Sequence, residues 1–419
     1  MNFGSTRSLR GGSHGSAIST AARALSVGDA LSALKLVALR SDPQALALRG
    51  IAMAQLGDFA VARQLLQRAV RALNGVDVLA WARSVVAEAE VALALRALGQ
   101  RPRELLRAAQ TLARRGDAAN ALFARLVVVR RQVLLGDLEQ AQRSLATLPL
   151  AGAPARLAAI AALVAADVAM RQGLGTVARQ ALSSAHDSAK SSGIRQLVGE
   201  VERAQAKLRA PAARVLLAGK ERALSLEDLE LQLASSAFVV DARRRRACLG
   251  KKVVTLVSRP VLLALLVALA EAAPAEASRE TLIARAFGAK RVSESHRARL
   301  RVEVGRLRRL LAGMTDITAT TAGFRLDVRA GLPTLLLLPP GAGDASELLA
   351  LLAGGDSWST SGLAAAVAKS QRSVQRALAT LQADGRVIAL GRGRSQRWSL
   401  APQTGFATTL LLVARGTLG

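Results

Sequence analysis

The chain has 419 residues, of which 51% are apolar and 2% aromatic, and its 58 Lys and Arg outnumber 30 Asp and Glu to give a formal net charge of +28. So much apolar content excludes a disordered polyelectrolyte, and the single cysteine, Cys248, excludes an intrachain disulfide framework and suits a reducing cytoplasm. The longest apolar runs, Leu157–Met170 and Val261–Ala270, fall short of the ~20 residues of a membrane-spanning helix, so no membrane partner is expected.

Ala and Leu dominate the apolar residues, which predicts a mainly α-helical chain. A surface this positive attracts polyanions, nucleic acid first among them. Up to Ser235 there are 31 basic and 18 acidic residues; after it there are 27 and 12 in a shorter stretch, so positive charge is denser in the second part.

The Gly/Ser-rich stretch Met1–Thr20 lacks the apolar core of a signal peptide, and residues 1–19 are expected to be unstructured. Residues 20–209 read as amphipathic helices separated by Gly-Asp or Gly-x turns. The turn glycines Gly57, Gly99, Gly136 and Gly173 recur at spacings of 42, 37 and 37 residues. That period predicts a solenoid of helical hairpins. In Leu46–Ala69, Gly50 and Ala62 are small where two helices approach, Gly57-Asp58-Phe59 makes the turn, and Leu66 and Ala69 fill the next layer. Gly136-Asp137-Leu138 with Ala141 and Leu145, and Gly173 with Ala178, Leu182 and Ala185, repeat the pattern. This resembles a tetratricopeptide repeat, which implies a concave surface for a protein or peptide, or for self-association.

Residues 210–236 read as a connector. From 237 to 330 the expected order is strands at Ala237–Val240 and Lys252–Val257, helices at Pro260–Glu271, Ser278–Phe287 and Ser293–Ala312, then a hairpin of Asp316–Ala319 and Gly323–Val328. In the third helix Leu300, Val304, Leu307 and Leu311 form one apolar stripe, and Arg299, Glu303 and Arg306 fall off it. The helix Arg299–Leu311 and the Gly323-Phe324-Arg325-Leu326 hairpin resemble the winged-helix effector domain of the OmpR/PhoB class. By that resemblance Arg299, Glu303 and Arg306 face a DNA groove, Arg308 and Arg309 take phosphates, and Arg325 sits in the DNA-contacting wing. The segment Glu271–Ala277 departs from that class, which has a short basic turn there. The run Arg243–Arg246 reads either as a phosphate clamp or as a solvated edge.

Residues 331–419 repeat the plan, with helices at Ala345–Leu352, Thr360–Ala368 and Gln371–Ala383 and a hairpin of Arg386–Leu390 with Gln396–Leu400. Strands at Thr334–Leu338 and Thr408–Val413 flank this unit and are candidates to pair with each other. Ser370 is placed to cap the third helix, and Val374, Leu378 and Leu381 give it a buried face. Gln371, Arg372, Gln375 and Arg376 then face outward, able to reach base edges and phosphates. The stretch resembles the helix-turn-helix of bacterial regulators. Arg392, Arg394 and Arg397 of the wing suit phosphate or minor-groove contact.

His14, His186 and His296 are far apart, Cys248 lacks a nucleophile motif, and no phosphate-binding G-x-x-x-x-G-K-[ST] occurs. Gly173-Leu174-Gly175 is a fragment of a dinucleotide loop without its strand. No enzyme, metal or cofactor is expected. The composite expectation is an α-helical solenoid followed by two winged-helix (α+β) domains: a transcription regulator of double-stranded DNA, acting as a homodimer. The alternatives are an architectural nucleoid protein and a repeat-protein adaptor whose winged helices bind proteins.

Overall fold

In a computed structural model the described residues are 10–401, apart from 96, 98–101, 290, 329–330, 342, 354–356, 368 and 392. They form a mainly helical chain with a smaller β component toward the C-terminal end. Two compact units emerge: one of residues up to Val168 with Ala178–Ala206, the other of Ala169–Val177 with Lys207–Ala401. Among the described residues no helix is long and apolar enough to cross a membrane.

The helices of the N-terminal half are α1 (Arg10–Ser26), α2 (Ala30–Val37), α3 (Pro43–Gln55), α4 (Phe59–Leu73), α5 (Val78–Ala94), α6 (Pro102–Arg114), α7 (Ala118–Leu135), α8 (Leu138–Ala146), α9 (Ala155–Gln172), α10 (Gly175–Ser192) and α11 (Arg195–Arg209). Helix α1 takes in residues 10–19, which composition had assigned to an unstructured segment. The Gly and Ser residues there lower helix propensity without forbidding it.

The turns have one chemistry. Gly28, Gly57, Gly116 and Gly136 take positive φ, and the aspartate after each accepts a hydrogen bond from a backbone N–H in the first turn of α2, α4, α7 or α8. Gly99 lies outside the described residues, and the turn between α6 and α7 belongs to Gly116. Asp117 also accepts from Arg83 Nε at 2.8 Å, tying α5 to the cap of α7. At Gly50 an added Cβ would stand 2.7 Å from Leu66 Cγ, so the close approach of α3 and α4 requires glycine.

The stretch expected to be a connector, 210–236, is structured: strands β1 (Ala213–Leu217) and β2 (Lys220–Leu224) form a hairpin, and α12 (Leu226–Ala234) follows. A reciprocal Ser225–Asp228 capping box starts α12. Next come β3 (Phe238–Asp241), β4 (Arg246–Leu249), β5 (Lys252–Thr255), α13 (Pro260–Ala272), β6 (Glu276–Ser278), α14 (Arg279–Phe287), α15 (Glu294–Leu310), β7 (Thr315–Ala319), β8 (Gly323–Val328) and β9 (Thr334–Leu338). The last elements are α16 (Asp344–Leu352), α17 (Thr360–Val367), α18 (Gln371–Ala383), β10 (Val387–Leu390) and β11 (Arg397–Leu400).

Strand β9 corrects a second expectation. It does not flank the last three helices but lies inside a six-stranded sheet of order β2-β1-β9-β3-β4-β5, antiparallel to β1 and parallel to β3. Its expected partner, 408–413, is outside the described residues. Alternation explains the placement. Leu336 joins Phe238 and Val240 against α13, while Leu335 and Leu337 join Val215, Val239 and Leu229 on the other face. A strand buried on both faces reads as an unbroken apolar run, as Leu335–Leu338 does.

A second sheet, β6-β8-β7, takes in Glu276 and Ala277, the end of the segment Glu271–Ala277 that departs from the OmpR/PhoB pattern, whose first residues close α13. Here β6 approaches β8 so closely that a Cβ at Gly323 would stand 1.8 Å from the Ala277 carbonyl oxygen. One core joins α13, α14 and α15 through Leu266, Ile283, Leu300 and Leu307. A separate core joins α16, α17 and α18 through Leu348, Leu363, Val374, Leu378 and Trp398, and β10 pairs with β11 above it.

Candidate nucleic-acid interface

Helix α15 begins at Ser293, whose Oγ accepts from the N–H of His296 and lies 2.8 Å from that ring's Nδ1. Leu300, Val304 and Leu307 are buried, as is Leu311 just past the helix end, so the opposite face is turned to solvent. That face carries Arg299, Arg301, Val302, Arg306 and Arg309, all exposed. Arg299 lies over the Phe287 ring, 4.5 Å from its centroid. Arg301 stands 3.9 Å from Glu294. Arg309 has no hydrogen bond or ion pair among the described residues.

Two expected site residues behave otherwise. Glu303 is only 13% exposed at its side chain and accepts from Arg306 Nη1 at 2.8 Å. It lies on the flank of the helix toward α13 and neutralises Arg306 there. Arg308 donates Nε to the carbonyl of Ile317 at 2.6 Å and sits 5.9 Å from the Phe324 ring, joining α15 to its hairpin. Phe324 is approached by Arg279 as well, at 5.7 Å.

Arg325 points from β8 to Asp327, with Nε 2.7 Å from Oδ1. That hydrogen bond raises the Arg325 pKa. The same bond, helped by one from Thr318, holds the Asp327 carboxyl below the usual carboxylate range. The pair is locally neutral.

In α18, Ser370 Oγ accepts from the Ser373 N–H at 3.2 Å. Val374, Leu378 and Leu381 are buried, and Gln371, Arg372, Gln375 and Arg376 are exposed together on the outer face. Among the described residues no hydrogen bond or ion pair engages those four side chains. Arg397 is exposed, with Nη1 3.5 Å from the Ser357 carbonyl. Arg392 and the side chain of Arg394 lie outside the described residues. Trp398 Nε1 donates to Thr360 Oγ1 at 3.0 Å and fixes β11 to α17.

The four-arginine run is neither a phosphate clamp nor a solvated edge. Asp241, wholly buried at the end of β3, accepts from Arg243 Nε and Nη2 at 3.1 Å each and from the Arg244 N–H at 3.2 Å. Arg246 Nε lies 3.7 Å from the same carboxylate. Arg243 and Arg245 are themselves buried, and burial lowers the pKa of Arg244 and of Arg245, the latter partly offset by Glu347. The run is a folded node in which two guanidinium groups, of Arg243 and Arg246, converge on the buried Asp241 carboxylate.

Two residues carried no signal in the basic-residue pattern. Val302, 54% exposed, stands in the middle of the cationic face of α15. Two residues past Leu300 at ~100° per residue, it is about 200° from the apolar stripe, so helical projection identifies it. Arg259, before α13, becomes visible only when α13 is set beside α15.

Cys248 is buried on β4, and burial pushes its thiol up. No group of three or more His, Cys, Asp or Glu suited to a metal occurs among the described residues. Helix α9 ends at Gln172 and α10 begins at Gly175, so no strand enters the Gly173-Leu174-Gly175 turn. Comparisons with protein-family models, curated proteins and solved structures returned no match.

Proposed function

We propose that this protein is a transcription regulator that reads double-stranded DNA through two winged-helix modules, α13–β8 and α16–β11. The observation that carries this reading is shared by α15 and α18. Each is the third helix of a three-helix cluster, buries an aliphatic stripe, turns an arginine-rich face to solvent and is followed by an antiparallel hairpin. A helix about 10–12 Å across fits the major groove of B-DNA. Arg299, Arg306, Arg372 and Arg376 supply phosphate or guanine contacts, Gln371 and Gln375 reach adenine edges, and Val302 meets a thymine methyl.

The Glu303–Arg306 pair and the Arg325–Asp327 pair reduce the charge at two expected contacts. Selectivity on α15 therefore rests more on Arg299 and Val302. In this reading the helices α1–α11 are tetratricopeptide-like repeats that receive a protein or peptide signal or join two copies on a palindromic site, and the protein resides on the nucleoid.

Competition binding at graded salt, with fragments recovered from the protein's own genome against random duplex, tests the reading. A regulator discriminates by a factor on the order of a thousand or more. Little discrimination with strong binding would assign an architectural protein. Unchanged binding in the folded Arg306→Ala, Arg376→Ala double variant would assign a protein adaptor.

A further inference from the structure

Between the start of α13 and the last two turns of α15 lies a cleft of about 670 Å³, lined by Arg259, Val261, Leu262, Glu303, Arg306 and Arg309 among others. Three guanidinium groups and one carboxylate face one space. Glu303 is taken up by Arg306, which leaves Arg259 and Arg309, both exposed and without an ion-pair partner among the described residues.

The backbone adds donors. Arg259 is the N-cap of α13 and provides no side-chain cap; its own N–H goes to the Leu256 carbonyl at 2.9 Å. The next intrahelical bond is Leu263 N–H to the Arg259 carbonyl. Pro260 has no N–H, and the first-turn N–H groups of Val261 and Leu262, two residues that line the cleft, have no intrahelical acceptor. The space is many times the ~30 Å³ share of one water. It suits a length of anionic chain better than a lone ion.

We propose that this cleft seats the phosphodiester backbone of the duplex whose groove takes α15, with Arg259 and Arg309 as the charges and the start of α13 as the hydrogen-bond donor. The proposal rests on the DNA-binding reading and adds a clamp that fixes how far α15 enters the groove. Glu303 has a defined place in it: by holding Arg306 it subtracts one cation from the seat.

The test is the salt dependence of binding by the full-length protein to a labelled mixed-sequence duplex of three helical turns. The Arg259→Gln, Arg309→Gln double variant is expected to weaken binding equally on duplexes of different sequence. Its log K against log salt is expected to be shallower by about 0.9 for each phosphate that the variant no longer neutralises. Glu303→Gln, which frees Arg306, is expected to move both quantities the opposite way. Melting followed by circular dichroism confirms that each variant is folded. A double variant with the wild-type slope, or weaker binding by Glu303→Gln, overturns the seat while leaving the groove reading in place. Absence of duplex binding by the unaltered protein overturns both.

Discussion

The guanidinium of Arg299 rests 4.5 Å from the centroid of the Phe287 ring, and the His296 ring stacks on the same phenyl at 6.3 Å. Phe287 is the last residue of α14, so the end of one helix sets the side-chain direction of the next. A cation over an exposed aromatic face contributes about 0.5–1 kcal/mol. Phe287→Leu keeps an apolar residue and removes the platform. It is expected to lower duplex affinity about two- to fivefold with little change in melting temperature; an unchanged titration curve would show that Arg299 needs no such support.

Asp241 is the carboxylate on which Arg243 and Arg246 converge. Removing one partner of a buried ion pair costs about 3–5 kcal/mol, because the other charge is left uncompensated. Asp241→Asn should therefore shift the denaturant midpoint strongly downward, whereas Arg372→Gln at the exposed face of α18 should leave it in place. Equal midpoints for the two variants would contradict the buried node.

The Asp228 carboxyl is lowered first by the Ser225 hydroxyl and then by the Ser225 N–H. A depressed folded value stabilises the fold above the unfolded value near 3.9, and the contribution is lost as pH falls through the folded value. Asp228→Asn is expected to flatten the acid limb of the stability–pH curve below about pH 4 and to leave its neutral region parallel to wild type. Urea midpoints measured across that range provide the check.

Cys248 combines burial with a raised thiol pKa, and thiolate is the reactive form. A thiol reagent at neutral pH is expected to label it only as fast as the sheet opens, and at once in denaturant. Rapid labelling of the native chain would place the thiol at the surface.

Val302 interrupts the charge on the outer face of α15. If α15 enters a groove as proposed, Val302→Asp is expected to abolish duplex binding without altering the thermal melt, since Val302 is more than half exposed. Electrophoretic mobility shift beside calorimetry separates the two effects.

Local chemistry was legible in the chain wherever one segment decides its own structure. The boundaries of α18 follow from Ser370 and the Val374–Leu378–Leu381 spacing, and the Gly-Asp turns at Gly57 and Gly136 announce the starts of α4 and α8. Pairing between distant segments was not legible. Ala213–Leu217 looks like part of a linker until Leu336–Leu338 lies beside it, and its two-residue turn puts Ala218, and not the usual Asn, Asp or Gly, at positive φ before Gly219, so the turn carries no hairpin signal in the sequence. Arg243–Arg246 reads as surface because hydropathy counts each arginine alone, whereas Asp241 draws the run inward. The expected contact residues divide the same way: the solvent face of α15 is a matter of helical period, but the engagement of Glu303 by Arg306, of Arg308 by the Ile317 carbonyl and of Arg325 by Asp327 is visible only in the folded chain.

The central position of β9 has a consequence for synthesis. Residues 213–217 and 238–241 emerge from the ribosome long before residues 334–338, yet they are neighbours only through that late strand. Until Leu338 has cleared the exit tunnel, β1 and β3 have no common partner, and a fragment ending at residue 330 leaves an apolar gap between them. The early hairpins must wait exposed while the whole α13–β8 stretch is made, and such long-range parallel closure is intrinsically slow. Completion of the six-stranded sheet thus waits for its last inward strand.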